Sequence, residues 1–286
     1  MSTSPKPIID LYSPQWGQAT LDRLKTLHAA YPDHRPVALL DGAFLFERLL
    51  PWMEQWLPDG SWQSLYTKLP NTNRRIIQAS PQLVDLNMLD NAQSLALLGG
   101  TNGYPMLSIM MTSAPLTQLV SQLMPFCIVG TPIAHYALRF ADTRLLPAIF
   151  DLLNEEQQSL LTKDIAVWQY VNRATRWESL PLQDQHDQNV IPPINGIVLD
   201  NDQYTALMAS AQIDRAMAFI EDTSPELYDC WQKPSERYAW FQQHMVLADA
   251  PTSLAELPAY LEQHAEHQQL LAGKKHNDKD DNVDYA

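Results

Sequence analysis

Three charged residues stand close together in the segment 136–153, YALRFADTRLLPAIFDLL: Arg139, Asp142 and Arg144. A carboxylate between two guanidinium groups could hold an anion or move a proton, provided that a nucleophile or a second acid stood beside it. None is near in sequence. The structural alternative explains the same residues. Read as a strand, ALRF puts Leu138 and Phe140 on one face and Arg139 on the other. Asp142 then stands where a helix N-cap belongs, its carboxylate placed to accept from the N2 or N3 backbone N–H for about 1 kcal/mol. Leu145, Leu146, Ile149, Leu152 and Leu153 follow as an apolar stripe, and Pro147 demands a kink or a late helix start. Either arginine could pair with Asp142, with little energy if the pair is exposed.

Other residue types that carry chemistry fare no better. His264 and His267 are three apart on an expected helix, but HAEH is neither HExxH nor HxxEH, and His264 continues an apolar stripe. The remaining histidines, among them His135 and His186, are scattered. GGTNGYP (99–105) has the glycines of a phosphate loop without its Gly-Lys-Ser/Thr ending, so it reads as an ordinary loop. GxGxxG and GxSxG are both missing, and Glu155–Glu156 and Asp280–Asp281 read as solvated charges. Cys127 and Cys230, the two cysteines, are too far apart for a CxxC pair. No catalytic residue, metal or cofactor is therefore expected. Of the eight tryptophans, most should be core, with one or two serving as anchors on a binding surface.

The charge balance narrows the partners. Lys and Arg number 19 against 33 Asp and Glu, a net charge of −14. Such a surface repels phosphate backbones and anionic lipid, which argues against nucleic acid and membrane as partners. No apolar run approaches the ~18 residues of a membrane span, and MSTSPKPIIDLYSPQW lacks the apolar core of a signal peptide. A cytoplasmic, reducing setting is expected.

The elements that would position these residues are mixed in the first part of the chain. Helical spacing over 20–30 is followed by an apolar strand, RPVALLDGA, closed by Asp41-Gly42. A helix over 44–57 interrupted by Pro51, a strand SWQSLYT and a Ser-Pro break inside IIQASPQLVDL come next. MLSIMMTS is a strand, Pro115 opens a helix to about Leu123, and FCIVG pairs with HYALRF as a hairpin around Thr131-Pro132. The expectation is an α+β fold: a mixed lobe over 1–180, a polar, proline-rich linker over 181–195, a helical lobe over 196–272 and a charged tail over 273–286. In the helical lobe Ala206, Ala209, Ile213, Ala216 and Ile220 fall on one face, and Ser253 with Glu256 is in capping-box register ahead of Leu254, Leu257, Leu261 and His264.

Five patches occur in order: Leu39-Leu40-Asp41-Gly42-Ala43; Trp62-Gln63-Ser64-Leu65-Tyr66; Ser80-Pro81-Gln82-Leu83-Val84; Leu138-Arg139-Phe140-Ala141-Asp142-Thr143-Arg144-Leu145-Leu146; and Trp168, with Trp177 beyond it. Over roughly 37–180 this order resembles the adaptor-chaperone family of bacterial type VI secretion. Thr143 departs from that family's usual proline, and no glycine precedes the Leu-Arg strand. The resemblance implies a non-enzymatic cytoplasmic protein that binds a cognate secreted effector and helps load it onto the secretion spike protein. It makes Asp41, Gly42, Trp62, Leu65, Tyr66, Pro81, Leu83, Arg139, Phe140, Asp142 and Trp168 family-motif residues of structural role, and it assigns no effector contact. Two alternatives are a hydrolase or transferase with a dispersed site using His135 and Asp142, and a structural or immunity-type binding protein. The tail has nothing to bury, so deleting residues 273–286 is expected to leave the melting temperature unchanged in a thermal scan.

Overall fold

The computed structural model describes residues 6–69, 71–130, 135–182, 193, 196–246 and 253–267. The Thr131-Pro132 turn, most of the segment 181–195, His186, the side chains of His135 and His267, and the tail 273–286 lie outside the described residues. The chain begins with α1 (Trp16–Ala30), β1 (Arg35–Asp41), α2 (Leu49–Trp56), β2 (Trp62–Ser64), α3 (Arg74–Ala79), β3 (Pro81–Asp85), α4 (Asn91–Gly100), β4 (Leu107–Thr112) and α5 (Leu116–Leu123). It continues through β5 (Ile128–Gly130), β6 (His135–Ala137), α6 (Leu146–Leu152), α7 (Glu155–Thr162), β7 (Ile165–Val171), β8 (Trp177–Ser179), β9 (Ile197–Val198) and α8 (Asn201–Ser210). Then come α9 (Gln212–Thr223), α10 (Pro225–Tyr228), α11 (Pro234–Met245) and α12 (Leu257–His267). The fold is α+β, with a C-terminal part that is mainly helical.

Two compact units divide at Leu207 and Met208. The first holds a six-stranded sheet in the order β2-β3-β1-β4-β7-β8, antiparallel throughout. β1 is central and apolar almost without interruption because both of its faces are covered. Val37 and Leu39 enter a core shared with Leu119 of α5, Ile149 of α6 and Leu161 of α7. Ala38 and Leu40 face the opposite way, onto Leu24 of α1, Met53 of α2 and Leu98 of α4. Burying one such leucine is worth about 2 kcal/mol, so the period-two alternation of β1 joins both cores to one strand. β5 and β6 form the expected antiparallel pair, and β9 adds to β5 in parallel. Composition places residues 197 and 198 after the linker, but their pairing with β5 attaches them to the first unit. In the second unit Ile220, Trp240, Phe241, Leu257 and Leu261 form a separate core.

Several elements differ from the pattern read in the sequence, and each difference has a local cause. Strand SWQSLYT stops at Ser64, because the Ser64 hydroxyl accepts from Tyr66 N at 3.1 Å and turns the chain into a 3-10 helix over Leu65–Lys68. Pro51 does not interrupt a helix: α2 starts at Leu49, so the proline lies in the first turn, where its missing N–H has no partner to lose. The stretch 204–220 is two helices rather than one, and Ala206 and Ala209 are exposed while Ala216 and Ile220 are buried. The Ser253–Glu256 capping box does not form. Pro258 is tolerated only in a first turn, so α12 begins at Leu257, and Ser253 Oγ accepts instead from Ala255 N at 3.3 Å. Leu254 is left exposed, whereas Leu257 and Leu261 are buried. Patterning gave no indication of α4 or α7. In GGTNGYP, Gly99 and Gly100 close α4 and only the rest is loop.

Gly42 marks where β1 meets β3. A Cβ there would lie 2.5 Å from Ser80 O and 2.7 Å from Gln78 O, both backbone atoms that cannot step aside. Gly42→Ala is expected to cost about 1–3 kcal/mol. Gly99→Ala, whose Cβ would meet nothing within 4 Å, should be neutral or gain up to about 1 kcal/mol. Urea midpoints at unchanged m-value measure both.

Candidate functional site

Most of the motif residues converge on one end of the six-stranded sheet, where the same device closes β1 and β2. Asp41 ends β1 and accepts from Ala43 N at 3.0 Å; Ser64 ends β2 and accepts from Tyr66 N; at the opposite end of the sheet Asp85, which ends the antiparallel β3, accepts likewise from Asn87 N at 3.0 Å. A fourth copy lies outside the sheet, where Asp142 Oδ1 accepts from Arg144 N at 3.0 Å. Such a side chain captures an N–H two residues ahead and competes with continued extension. Asp142 is thus a turn former rather than the expected N-cap. Its carbonyl accepts from Leu145 N and Leu146 N, and α6 begins at Leu146 with Pro147 in its first turn, the late start that Pro147 demands.

The two arginines separate. Arg144 remains with Asp142, its Nε and Nη2 donating at 3.0 and 2.7 Å to the two oxygens. Arg139 instead crosses 98 positions of sequence to Asp41, donating through Nε at 3.0 Å and Nη2 at 2.8 Å to one oxygen, Oδ2. Leu138 and Phe140 are buried on the opposite side, as their alternation requires, although β6 itself ends at Ala137. Both guanidinium groups lie over the Phe44 ring, Arg139 at 4.4 Å and Arg144 at 5.6 Å from its centroid.

Electrostatics confine this cluster. Burial raises the Asp41 carboxyl above the ordinary carboxylate range, and the nearby Asp142 charge adds to this. Arg139 opposes the rise by its charge and hydrogen bonds, as does Ala43 N. Burial also drives the Tyr66 phenol and the Cys127 thiol upward, with Asp41 adding to both. A thiol nucleophile acts as thiolate, and this environment disfavours that form. Polar contacts among Ser64, Ser80, Gln82 and Ile77, unmarked by sequence patterning, complete this end of the sheet. Ser64 and Ser80 hydroxyls meet at 2.5 Å, and Gln82 Nε2 donates to Ser80 Oγ at 2.9 Å and Ile77 O at 2.7 Å. Serine and glutamine at isolated strand positions carry no spacing signal, so only the register Ser64↔Gln82 reveals the set.

Asp41, Gly42, Leu65, Tyr66, Pro81, Arg139 and Asp142 are thereby gathered, Pro81 lying opposite Asp41 in register. Trp62, Leu83, Phe140 and Trp168 are not part of the polar cluster. Leu83 and Phe140 are core residues, and Trp168, fully buried in β7, donates from Nε1 to Ser108 Oγ at 3.0 Å. Trp62 packs half-buried against the opposite core. Among the eight tryptophans Trp56 is the most exposed, at 57%. His264 is half-buried with Nδ1 2.8 Å from Tyr260 O, and among the described residues no His, Cys, Asp and Glu group has the arrangement of a metal site.

Residues 38–160 match the model of a family described as a domain of unknown function (DUF4123). The match runs from β1 to α7, a little under half of the chain, and contains every residue of the polar cluster. No curated protein and no solved structure matches the chain. Among the described residues no helix is long and apolar enough to cross a membrane.

Removing the Arg139 guanidinium leaves Asp41 buried and less compensated. An acid whose folded value is raised keeps its proton where the unfolded chain has lost it, so its contribution to stability falls as pH rises through that interval. Arg139→Gln should widen the interval. Discounted for the 42% exposure of Arg139, the expected loss is about 2 kcal/mol near neutral pH, shrinking toward about pH 4.5. The double variant D41N/R139Q should recover part of it. Urea titrations at the two pH values give the comparison, and a loss independent of pH would contradict the assignment.

Proposed function

We propose that this chain is a non-enzymatic adaptor-chaperone that binds a cognate type VI secretion effector in the cytoplasm and helps load it onto the secretion spike protein. The reading rests on one concordance. The ordered motifs that resemble the adaptor family span roughly 37–180, and the independent match to a family model covers 38–160. The chemistry of the gathered residues is compatible with it. Asp41, Asp142 and Ser64 are each engaged in closing a turn, and the two aspartates are neutralised by arginines. An adaptor holds its client reversibly, and interface area of standard size with a few aromatic hot spots serves that better than an obligate interface.

Co-expression with the proteins encoded beside it tests this directly. The full chain should retain an effector, a spike protein or both through affinity purification at moderate salt. D142N should keep that retention wherever it stays folded, and no substrate screen should find turnover that H135A/D142A abolishes. Retention of neither partner, or turnover that the double variant removes, would defeat the reading.

A further inference from the structure

α2 and α4 run antiparallel without packing closely. At one end Gln93 Nε2 donates to Trp56 O at 2.8 Å; at the other Leu45, Arg48 and Leu49 face Gly100 and Thr101. Between them lies a cleft of about 180 Å³, lined mainly by Leu45, Leu49, Trp52, Ala96 and Leu97. Trp56 extends the Leu49–Trp52 face by one turn and is exposed. The apolar surface therefore continues beyond the cleft.

Two features are costly to the fold and are not explained by it. Gly100, which lines the cleft, sits in helical conformation, where glycine is less stable than alanine, and a Cβ on it would meet nothing within 4 Å. Gly42 and Gly196, by contrast, are required by backbone atoms 2.5 Å from their missing Cβ. A bare helix surface with no neighbour of its own suits the close approach of another backbone. Glu47, immediately before Arg48, has φ 64°, a strained value for a residue with a side chain. After this turn Arg48 lines the cleft, while Glu47 does not. Arg48 is exposed, makes no ion pair among the described residues, and is the single charged residue lining the cleft.

We propose, resting on the adaptor reading, that the α2–α4 cleft receives an amphipathic helix of the client protein, with one acidic residue of that helix opposite Arg48. A helix is favoured over an extended segment because both walls are helices. Their backbone groups are already bonded, so they offer no strand edge, and recognition must come from apolar side chains at helical spacing. The chain's charge of −14 repels further acids, which limits the partner to an acid in register with Arg48 and neutral or basic residues elsewhere on its polar face.

The test uses the full chain with the effector and spike protein encoded beside it. Arg48→Glu and Gly100→Leu should each weaken client binding about tenfold or more, the scale of an interface hot spot. Melting temperature and circular dichroism should stay near wild type. A photo-crosslinking residue at Ala96 should map to a helical client segment, and replacing its acid by lysine should restore binding to the Arg48→Glu protein. If both variants stay folded and bind the client as wild type does, the cleft assignment fails and the adaptor reading survives. Wild-type protein that retains no client overturns both. Crosslinks only to a second copy of this chain overturn the client assignment in favour of self-association.

Discussion

Asp41 is buried at the end of the central strand, and its charge there would be hard to sustain without Arg139. The carboxylate is needed locally, because it accepts from Ala43 N and ends β1 where Gly42 must pass against Ser80 O. Its two hydrogen bonds from Arg139 then tie the turn after β1 to the segment following β6. The energy comes less from the ion pair itself than from the cost of leaving Asp41 without it. The result is an anchor: the small sheet carrying β6, the turn leading into α6, and the strand that joins both cores of the first unit meet at one carboxylate.

The sheet repeats one solution, around that anchor for β1 and β2 and at its opposite end for β3. Three neighbouring strands each end in a polar side chain that bonds an N–H two residues ahead and diverts the chain into a 3-10 turn. The turns remove their polar backbone groups from competition with the core, so Leu65 and Leu45 can be buried immediately beyond them. Phe44 adds a flat surface for the guanidinium groups, which holds Arg139 and Arg144 side by side despite their like charge. Each arginine has its own carboxylate, Asp41 for one and Asp142 for the other, and the repulsion is offset within the cluster.

What the sequence reveals follows from the range of the interactions. β1 and β4 are legible as short unbroken apolar runs, because both faces of each are buried, and α5 and the β5–β6 pair by their local pattern and by Pro115. The late start of α6 is legible because proline acts locally. The Arg139–Asp41 pair is not, since nothing in 98 positions of separation marks the two as partners, and the nearer Asp142 is the obvious candidate. Composition groups residues 197 and 198 with the helices that follow, because two residues carry no period; their pairing with β5 depends on a strand far back in the chain. The helix α4 escaped for another reason: its glycines imitate a loop, and its apolar residues face both the core and the open cleft.

That last confusion has physical content. A sequence assembled for internal consistency would place alanine at 99 and 100, where a side chain costs nothing and helix stability would rise. At Gly100 local preference and fold disagree on a surface that is apolar, carries one arginine without an ion pair among the described residues, and adjoins the strained Glu47. Around Asp41 the departures from local preference have internal reasons: Gly42 avoids Ser80 O, Asp41 caps its turn, Ser64 meets Ser80. The charged members of the polar cluster, Asp41, Arg139, Asp142 and Arg144, are partnered by the chain's own atoms, whereas nothing among the described residues approaches the bare helix surface at Gly100. Function is more economically placed on the second surface, with the first holding the strand that both cores share.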